Sequence, residues 1–276
     1  MNLHETDRRQ TAPAIGVPHI RWDFVMVLLL MVTWLRASAQ QADTTTPANL
    51  TAEQVVHNLS EMNLSRAQAL YAYQGTRTYR AEYHGLGARS AEMTVSVKYV
   101  SPGTKEFTIQ SSTGSKLIID RVFKKLLEAE KEALDADVQK RSALTEDNYR
   151  FTLVGYESGQ SGGMYVLSVE PRTKDKFLYR GRIWVDAEDF AVVRVEAEPA
   201  KNPSFWTKKS EIVQVYKKIG DFWLPAQNRS VSAIRLGGHA ELTIDYKDYE
   251  ITGASSVSSL FDAADSRSPR VSRRKD

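Results

Sequence analysis

From residue 51 onward the chain switches between two hydrophobic periods, and each switch marks an element. Val55, Val56, Leu59, Met62 and Leu64 recur at helical spacing. Thr51 precedes them with Gln54 three residues on, the pair that makes a capping box, so a short amphipathic helix is expected from Thr51 to about Met62. The period then falls to two. Met93, Val95, Val97 and Tyr99 alternate with Glu92, Thr94, Ser96 and Lys98, giving one apolar and one wet face, as in a half-buried strand. Arg77 to Tyr83 is the expected strand before it. Phe107 and Ile109 begin the next, after Ser101-Pro102-Gly103.

One helical stretch interrupts the strands. Between Lys116 and Leu144, Ile119, Phe123, Leu126, Leu127, Leu134 and Val138 recur at three and four. Lys124, Lys125, Glu128, Glu130, Lys131 and Glu132 lie between them as i,i+3 and i,i+4 pairs, which places Glu128, Glu130 and Glu132 on a solvated face. The apolar stripe needs a partner, and the sheet is the one available. Strands then resume at Tyr149–Leu153, Tyr165–Val169, Phe177–Val185, Phe190–Glu196, Glu211–Lys217, Phe222–Ile234 and His239–Ile251, with short polar or glycine-containing connections. About ten strands joined so closely read as an antiparallel meander. Ala191-Val192-Val193 and Phe222-Trp223-Leu224 are apolar on both faces, so both faces are covered there. The fold class is α+β, mainly antiparallel β: a curved sheet or incomplete barrel of about ten strands covered by helices.

The ends add an address. Arg8, Arg9 and Arg21 precede an apolar run from Phe24 to Leu35, followed by Ala37-Ser38-Ala39, the composition of a secretory signal over residues 1–39. An uncleaved N-terminal anchor is the alternative. A polar linker (40–50) leads into one domain (51–253). The Ser-rich, then basic segment 254–276 reads as a disordered tail, solvated or touching anionic lipid. The sequence has no cysteine, which rules out disulfides, thiolate metal sites and a lipidated N-terminal cysteine. A net charge of +3 gives no nucleic-acid signature.

Candidate chemistry is sparse. Gly159-Gln160-Ser161-Gly162-Gly163 matches the nucleophile-elbow pattern, but a strand rather than a helix is expected after it. His57, His84 and His239 lack ligand spacing. Asp186, Glu188 and Asp189 fit a polar turn as well as a cation site, and the sequons at Asn49, Asn58, Asn63 and Asn228 carry little weight. No cofactor and no catalysis are expected. The aromatic pair Phe205-Trp206 either contacts a ligand or plugs the sheet. The ligand-contact candidates are Trp184, Phe205, Trp206, Trp223, Phe123 and Leu127.

In order, Gly181-Arg182-Ile183-Trp184-Val185-Asp186, Phe190 to Arg194, Pro203-Ser204-Phe205-Trp206 and Gly220-Asp221-Phe222-Trp223-Leu224-Pro225 resemble an exported branch of the bacterial outer-membrane lipoprotein-sorting proteins, the LolA-like family, over Thr51 to Ile251. The resemblance implies a curved sheet closed by helices, a periplasmic location and a hydrophobic cavity for acyl chains. Arg77 and Arg80 are the candidates for that family's functional arginine. The implied function is a carrier of lipid or acylated protein that touches membranes transiently. The alternative is a periplasmic sensor or interaction module with an envelope protein as partner.

Overall fold

The computed structural model describes residues 31–32, 50–159, 162–202, 207–235 and 237–253. Most of the expected signal sequence, the linker up to 49, the tail from 254, and Phe205 and Trp206 lie outside the described residues. Met31–Val32 (β1) pair antiparallel with Trp223 and Phe222.

Helix α1 (Ala52–Ala69) starts at the expected capping box: the Thr51 hydroxyl accepts from the Gln54 N–H, and the Gln54 side chain accepts from the Thr51 N–H at 2.8 Å. It ends later than the apolar pattern predicts. Asn63 and Arg66 continue the buried stripe of Val55, Val56 and Leu59, and polar residues on a buried stripe do not show in a hydrophobic period.

Strands β2 (Leu70–His84), β3 (Arg89–Val100) and β4 (Thr104–Gly114) follow as hairpins. The stretch 116–144 is not one helix. A short turn, α2 (Lys116–Ile118), runs through a π-helical turn (Ile119–Phe123) into α3 (Lys124–Glu132). The chain then breaks at Ala133–Leu134, because Asp135 restarts it as the N-cap of α4 (Ala136–Ser142). Its carboxylate accepts from the Asp137 and Val138 N–H groups at 2.9 and 3.2 Å.

The remaining strands are β5 (Tyr149–Gly159), β6 (Gly162–Pro171), β7 (Tyr179–Asp186), β8 (Val192–Pro199), β9 (Thr207–Ile219), β10 (Phe222–Ile234) and β11 (His239–Gly253). Their order is β4-β3-β2-β11-β10-β9-β8-β7-β6-β5, antiparallel throughout. The expected α+β arrangement is therefore present: a curved antiparallel sheet of 10 strands, not closed into a barrel. Two meanders meet where β2 pairs with β11 along most of its length, which is why β2 begins at Leu70 rather than near Arg77.

The core has two parts. One packs α1 and α4 onto β5–β8, with Val55, Leu59, Val138, Leu144, Leu167 and Ile183 at its centre. The other packs the π turn and α3 onto β2, β3, β10 and β11, around Tyr79, Met93, Val95, Phe123, Leu224 and Tyr246. Between them the inner face carries buried polar residues: Ser210, Gln214, Asn228 and Ser230. Asn228 stands across from Gln214 on one side and Ile244 on the other, in the row that continues to Tyr79 and Met93. Its amide donates to Gln214 Oε1 at 2.8 Å.

Two glycines test the sheet geometry. Gly181 (φ 151°) leaves no room for a side chain, since a Cβ there would sit 2.1 Å from the Glu196 carbonyl oxygen on β8. Gly220 (φ 58°) is left-handed, but a Cβ there would have nothing within 4 Å. Gly220→Ala should cost about 1–2 kcal/mol, the left-handed penalty alone. Gly181→Ala should cost well beyond that, with β7–β8 pairing disturbed. Denaturant midpoints of the two variants measure the difference, and equal losses would contradict the close approach at Gly181.

Candidate functional site

The inner face of β2 is set by alternation. Tyr73, Arg77, Tyr79 and Ala81 point inward and are buried, while Gln74 and Arg80 point outward. This separates the two arginine candidates. Arg80 is exposed and pairs with Glu92 at 2.9 Å and with Asp245 across the outer face. Arg77 lies under α3, opposite Tyr246 on β11 and Val95 on β3.

α3 and the π turn present Phe123, Leu127 and Glu130 to the sheet, a spacing of four and three that forms one helical stripe. Phe123 meets Tyr79 with ring centroids 5.8 Å apart. Glu130 was expected in solvent with Glu128 and Glu132. It is instead 5% exposed and held by two cations from the sheet. Arg77 Nη1 donates to both its oxygens, at 2.8 and 2.6 Å, and Lys105 Nζ on β4 lies 2.6 Å from Oε1. The surroundings are aromatic: the Arg77 guanidinium lies 5.1 Å from the Tyr246 ring and 5.7 Å from Phe107, and Lys105 lies 5.9 Å from Tyr73.

Electrostatics keep this cluster charged. Burial opposes the Arg77 charge, but Glu130 beside it outweighs burial and makes the guanidinium more basic than usual. Burial likewise raises the Glu130 carboxyl, yet Arg77 and Lys105 overcome it and hold the group below the ordinary carboxylate range. The tyrosines stay neutral. Burial pushes Tyr79 up to about 12 and raises Tyr246 as well.

The structure brings Phe123 and Leu127 to this site and takes Trp184 and Trp223 elsewhere. Trp184 faces away from Ile183 and Val185, which belong to the core under α1 and α4. Its indole N–H donates to Glu157 at 3.0 Å, and Arg182 and Arg194 each lie 5.4 Å from its ring. It is a covered residue of the outer face, apart from Phe123 and Leu127. Trp223 is half-buried against the α1 core and donates to Asp189 at 2.7 Å. Asp189 also pairs with Lys218 at 2.6 Å. Asp186 caps the same turn, accepting from the Glu188 and Asp189 N–H groups at 3.0 and 2.7 Å. Arg66 of α1 closes it from inside, donating to the Phe190 carbonyl at 3.0 Å and to Asn63 at 3.2 Å. That carboxylate cluster is therefore turn architecture.

Gly159 and Gly162 pair at the end of the β5–β6 hairpin and a strand follows Gly162, where the elbow pattern calls for a helix; Gln160 and Ser161 lie outside the described residues. His84 and His239 stack at 4.8 Å across β2 and β11. Among the described residues, no group of three or more His, Asp or Glu side chains could hold a metal ion. Nor is any described helix long and apolar enough to cross a membrane. An open groove of about 440 Å³ beside α1 is lined by Glu53, Val56, His57, Ser60, Thr145, Glu146 and Asp147, too polar for an acyl chain.

No family model matches the sequence, and no curated protein does. Among solved structures, the chain is similar to a LolA superfamily protein from Nitrosomonas europaea, with 13% identity over 74% of this chain and 94% of that one, at a TM-score of 0.32. It is also similar to a putative outer membrane lipoprotein-sorting protein domain from Vibrio parahaemolyticus, with 12% identity, coverage of 73% and 93%, and a TM-score of 0.38. The Pseudomonas aeruginosa MucA/MucB complex matches with 10% identity, coverage of 76% and 96%, and a TM-score of 0.25. At such identities and scores, function has to be read from the residues.

Glu130→Gln leaves two buried cations without their carboxylate and should cost about 3–5 kcal/mol at neutral pH. The folded carboxyl titrates below its unfolded value, so its stabilisation is complete above about pH 4.3 and is lost as pH falls through the lower folded value. Melting temperatures of wild type and variant should differ at neutral pH and converge on acidification below about pH 4. A gap that persists in acid would show that Glu130 acts through something other than its charge.

Proposed function

We propose that the protein is a periplasmic carrier for a lipid or an acylated protein, with α3 as a lid over the aromatic bed of β2, β3 and β11. One observation carries the reading: the helical segment that runs from Lys116 through the π turn to Glu132 and stops at the Ala133–Leu134 turn lies on the sheet through Phe123, Leu127 and Glu130, and Glu130 is its one buried charge. π turns are frequent at functional positions. Lifting α3 would uncover Tyr79, Met93, Val95 and Tyr246, with Arg77 among them.

The energies are compatible with opening. Breaking the cluster costs about 3–5 kcal/mol. Burying acyl chain returns about 0.8 kcal/mol per CH₂, so roughly four to six methylenes offset it. A long acyl chain has more than that.

A second reading, an interaction module of the envelope, draws support from the open sheet. Its two edge strands carry exposed apolar side chains, Ile109 on β4 (43%) and Val154 on β5 (57%), beside unpaired edge backbone. Native mass spectrometry and lipid extraction of the protein purified from an envelope separate the two. The carrier reading expects co-purified lipid or acylated protein and uptake of a fluorescent fatty acid. A protein that arrives empty of lipid, refuses the probe and holds a stoichiometric protein partner belongs to the second class. Trp184→Phe should leave probe uptake unchanged, whereas Phe123→Ala should change it. The opposite pattern would move the binding surface to the outer face.

A further inference from the structure

The cluster under α3 is unbalanced. Two cations, Arg77 and Lys105, face one carboxylate, Glu130, and all three are buried. Glu130 is the carboxylate that acts most strongly on the Arg77 charge, ahead of the phenols of Tyr79, Tyr73 and Tyr246. Donors are also in excess: Arg77 Nη2 and Tyr246 Oη are buried without a hydrogen-bond partner. Buried charge is costly unless paired, and buried donors are ordinarily satisfied. A pocket of surplus positive charge and spare donors, floored by aromatic rings, has the chemistry of an anion site with an apolar continuation.

We infer that this site takes the anionic head of an amphiphile, a carboxylate or a phosphate, and that Glu130 holds the same place while the lid is closed. The inference rests on the carrier reading and adds the class of cargo to it. On opening, Glu130 leaves with α3. The ligand's oxygens then accept from Arg77 and Lys105, and a phosphate has oxygens enough to reach Arg77 Nη2 and Tyr246 as well. The acyl chain lies along Tyr79, Met93 and the rest of the bed. A neutral or zwitterionic head leaves the two cations without full compensation, so it is disfavoured by the same term that holds the lid down.

The test is isothermal titration of the delipidated full-length chain with three amphiphiles of one chain length: palmitate, palmitoyl lysophosphatidic acid and palmitoyl lysophosphatidylcholine. Charge-assisted hydrogen bonds contribute about 1.5–3 kcal/mol, so the anionic probes should bind at least about tenfold tighter than the zwitterion. The stronger of the two anionic probes identifies the head as carboxylate or phosphate. Glu130→Gln should bind the anionic probes more tightly than wild type does. Lys105→Met and Arg77→Met should each reduce the preference. If either cation variant fails to fold, the wild-type comparison and the remaining variant decide. Equal affinity for all three probes overturns the inference while leaving the carrier standing. So does a preference that survives intact in a folded cation variant, since the head must then sit elsewhere. No binding of any probe ends the carrier reading and the inference with it.

Discussion

A carboxylate carried by a short helix, driven between an arginine and a lysine under a layer of tyrosines, fixes how α3 sits on the sheet. Apolar contact alone would leave the helix free to slide, since Phe123 and Leu127 could pack on several parts of an aromatic bed. Glu130 cannot slide. Its oxygens are within 2.8 Å of Arg77 and 2.6 Å of Lys105, and any displacement leaves three charges in a low-dielectric interior. A buried ion pair adds little net stability over a well-packed apolar replacement, but breaking it is expensive. The consequence is an all-or-none contact in which the helix is seated or off, and intermediate positions are the costly ones.

The topology makes such a contact separable from the fold. β2 sits where the two meanders join, so Arg77 is backed by strands on both sides. The apolar core is divided: α1 and α4 close one part over β5–β8, and α3 with its π turn closes the other. The polar residues Gln214 and Asn228 lie between. Removing α3 would expose the second part while the first keeps its helices and its buried leucines and valines. A protein with one continuous core has no comparable way to open half of it.

What the sequence revealed follows from what periodicity can register. The capping box at Thr51 and Gln54, the alternation in β3 and the antiparallel order of short-linked strands are local, and each appears in the structure where the pattern puts it. The failures share one cause: a side chain buried by something distant in sequence. Glu130 lies among lysines at helical pair spacing, which is how a solvated face reads. Its true partners are on β2 and β4, far back in the chain. Asn63 and Arg66 extended α1 past its apolar residues because Phe190, on a remote turn, offers a carbonyl. Trp184 was named among the ligand contacts, although β7 carries Arg180 and Arg182 on the same face. What covers its outer face is a pair of arginines, and a charged residue lying flat over a ring gives no hydrophobic signal. The candidate site was thus partly legible: Phe123, Leu127 and Arg77 were named, Glu130 was assigned to solvent, and Lys105 and the buried tyrosines were not singled out.

Among the described residues two arginines are buried, Arg66 and Arg77, and their partners differ. Arg66 donates to a main-chain carbonyl, that of Phe190, and to Asn63 on its own helix. Phe190 is itself in a left-handed conformation (φ 47°) that the Asp186–Phe190 turn must maintain. Burial lowers the Arg66 guanidinium to about 10, with Asp189 and Asp186 opposing that shift. Its partners include a main-chain carbonyl and a neighbour one turn away, which ties it to the turn. Arg77 is bound by a side chain two residues from the C-terminal end of α3, on an element separate from its own strand. The same residue type therefore does two jobs. At α1 it locks a turn whose geometry is strained, and at β2 it holds a helix whose departure requires no strand to move. Arg77 is accordingly the arginine whose ion pair joins two separate elements, while Arg66 is tied into a turn.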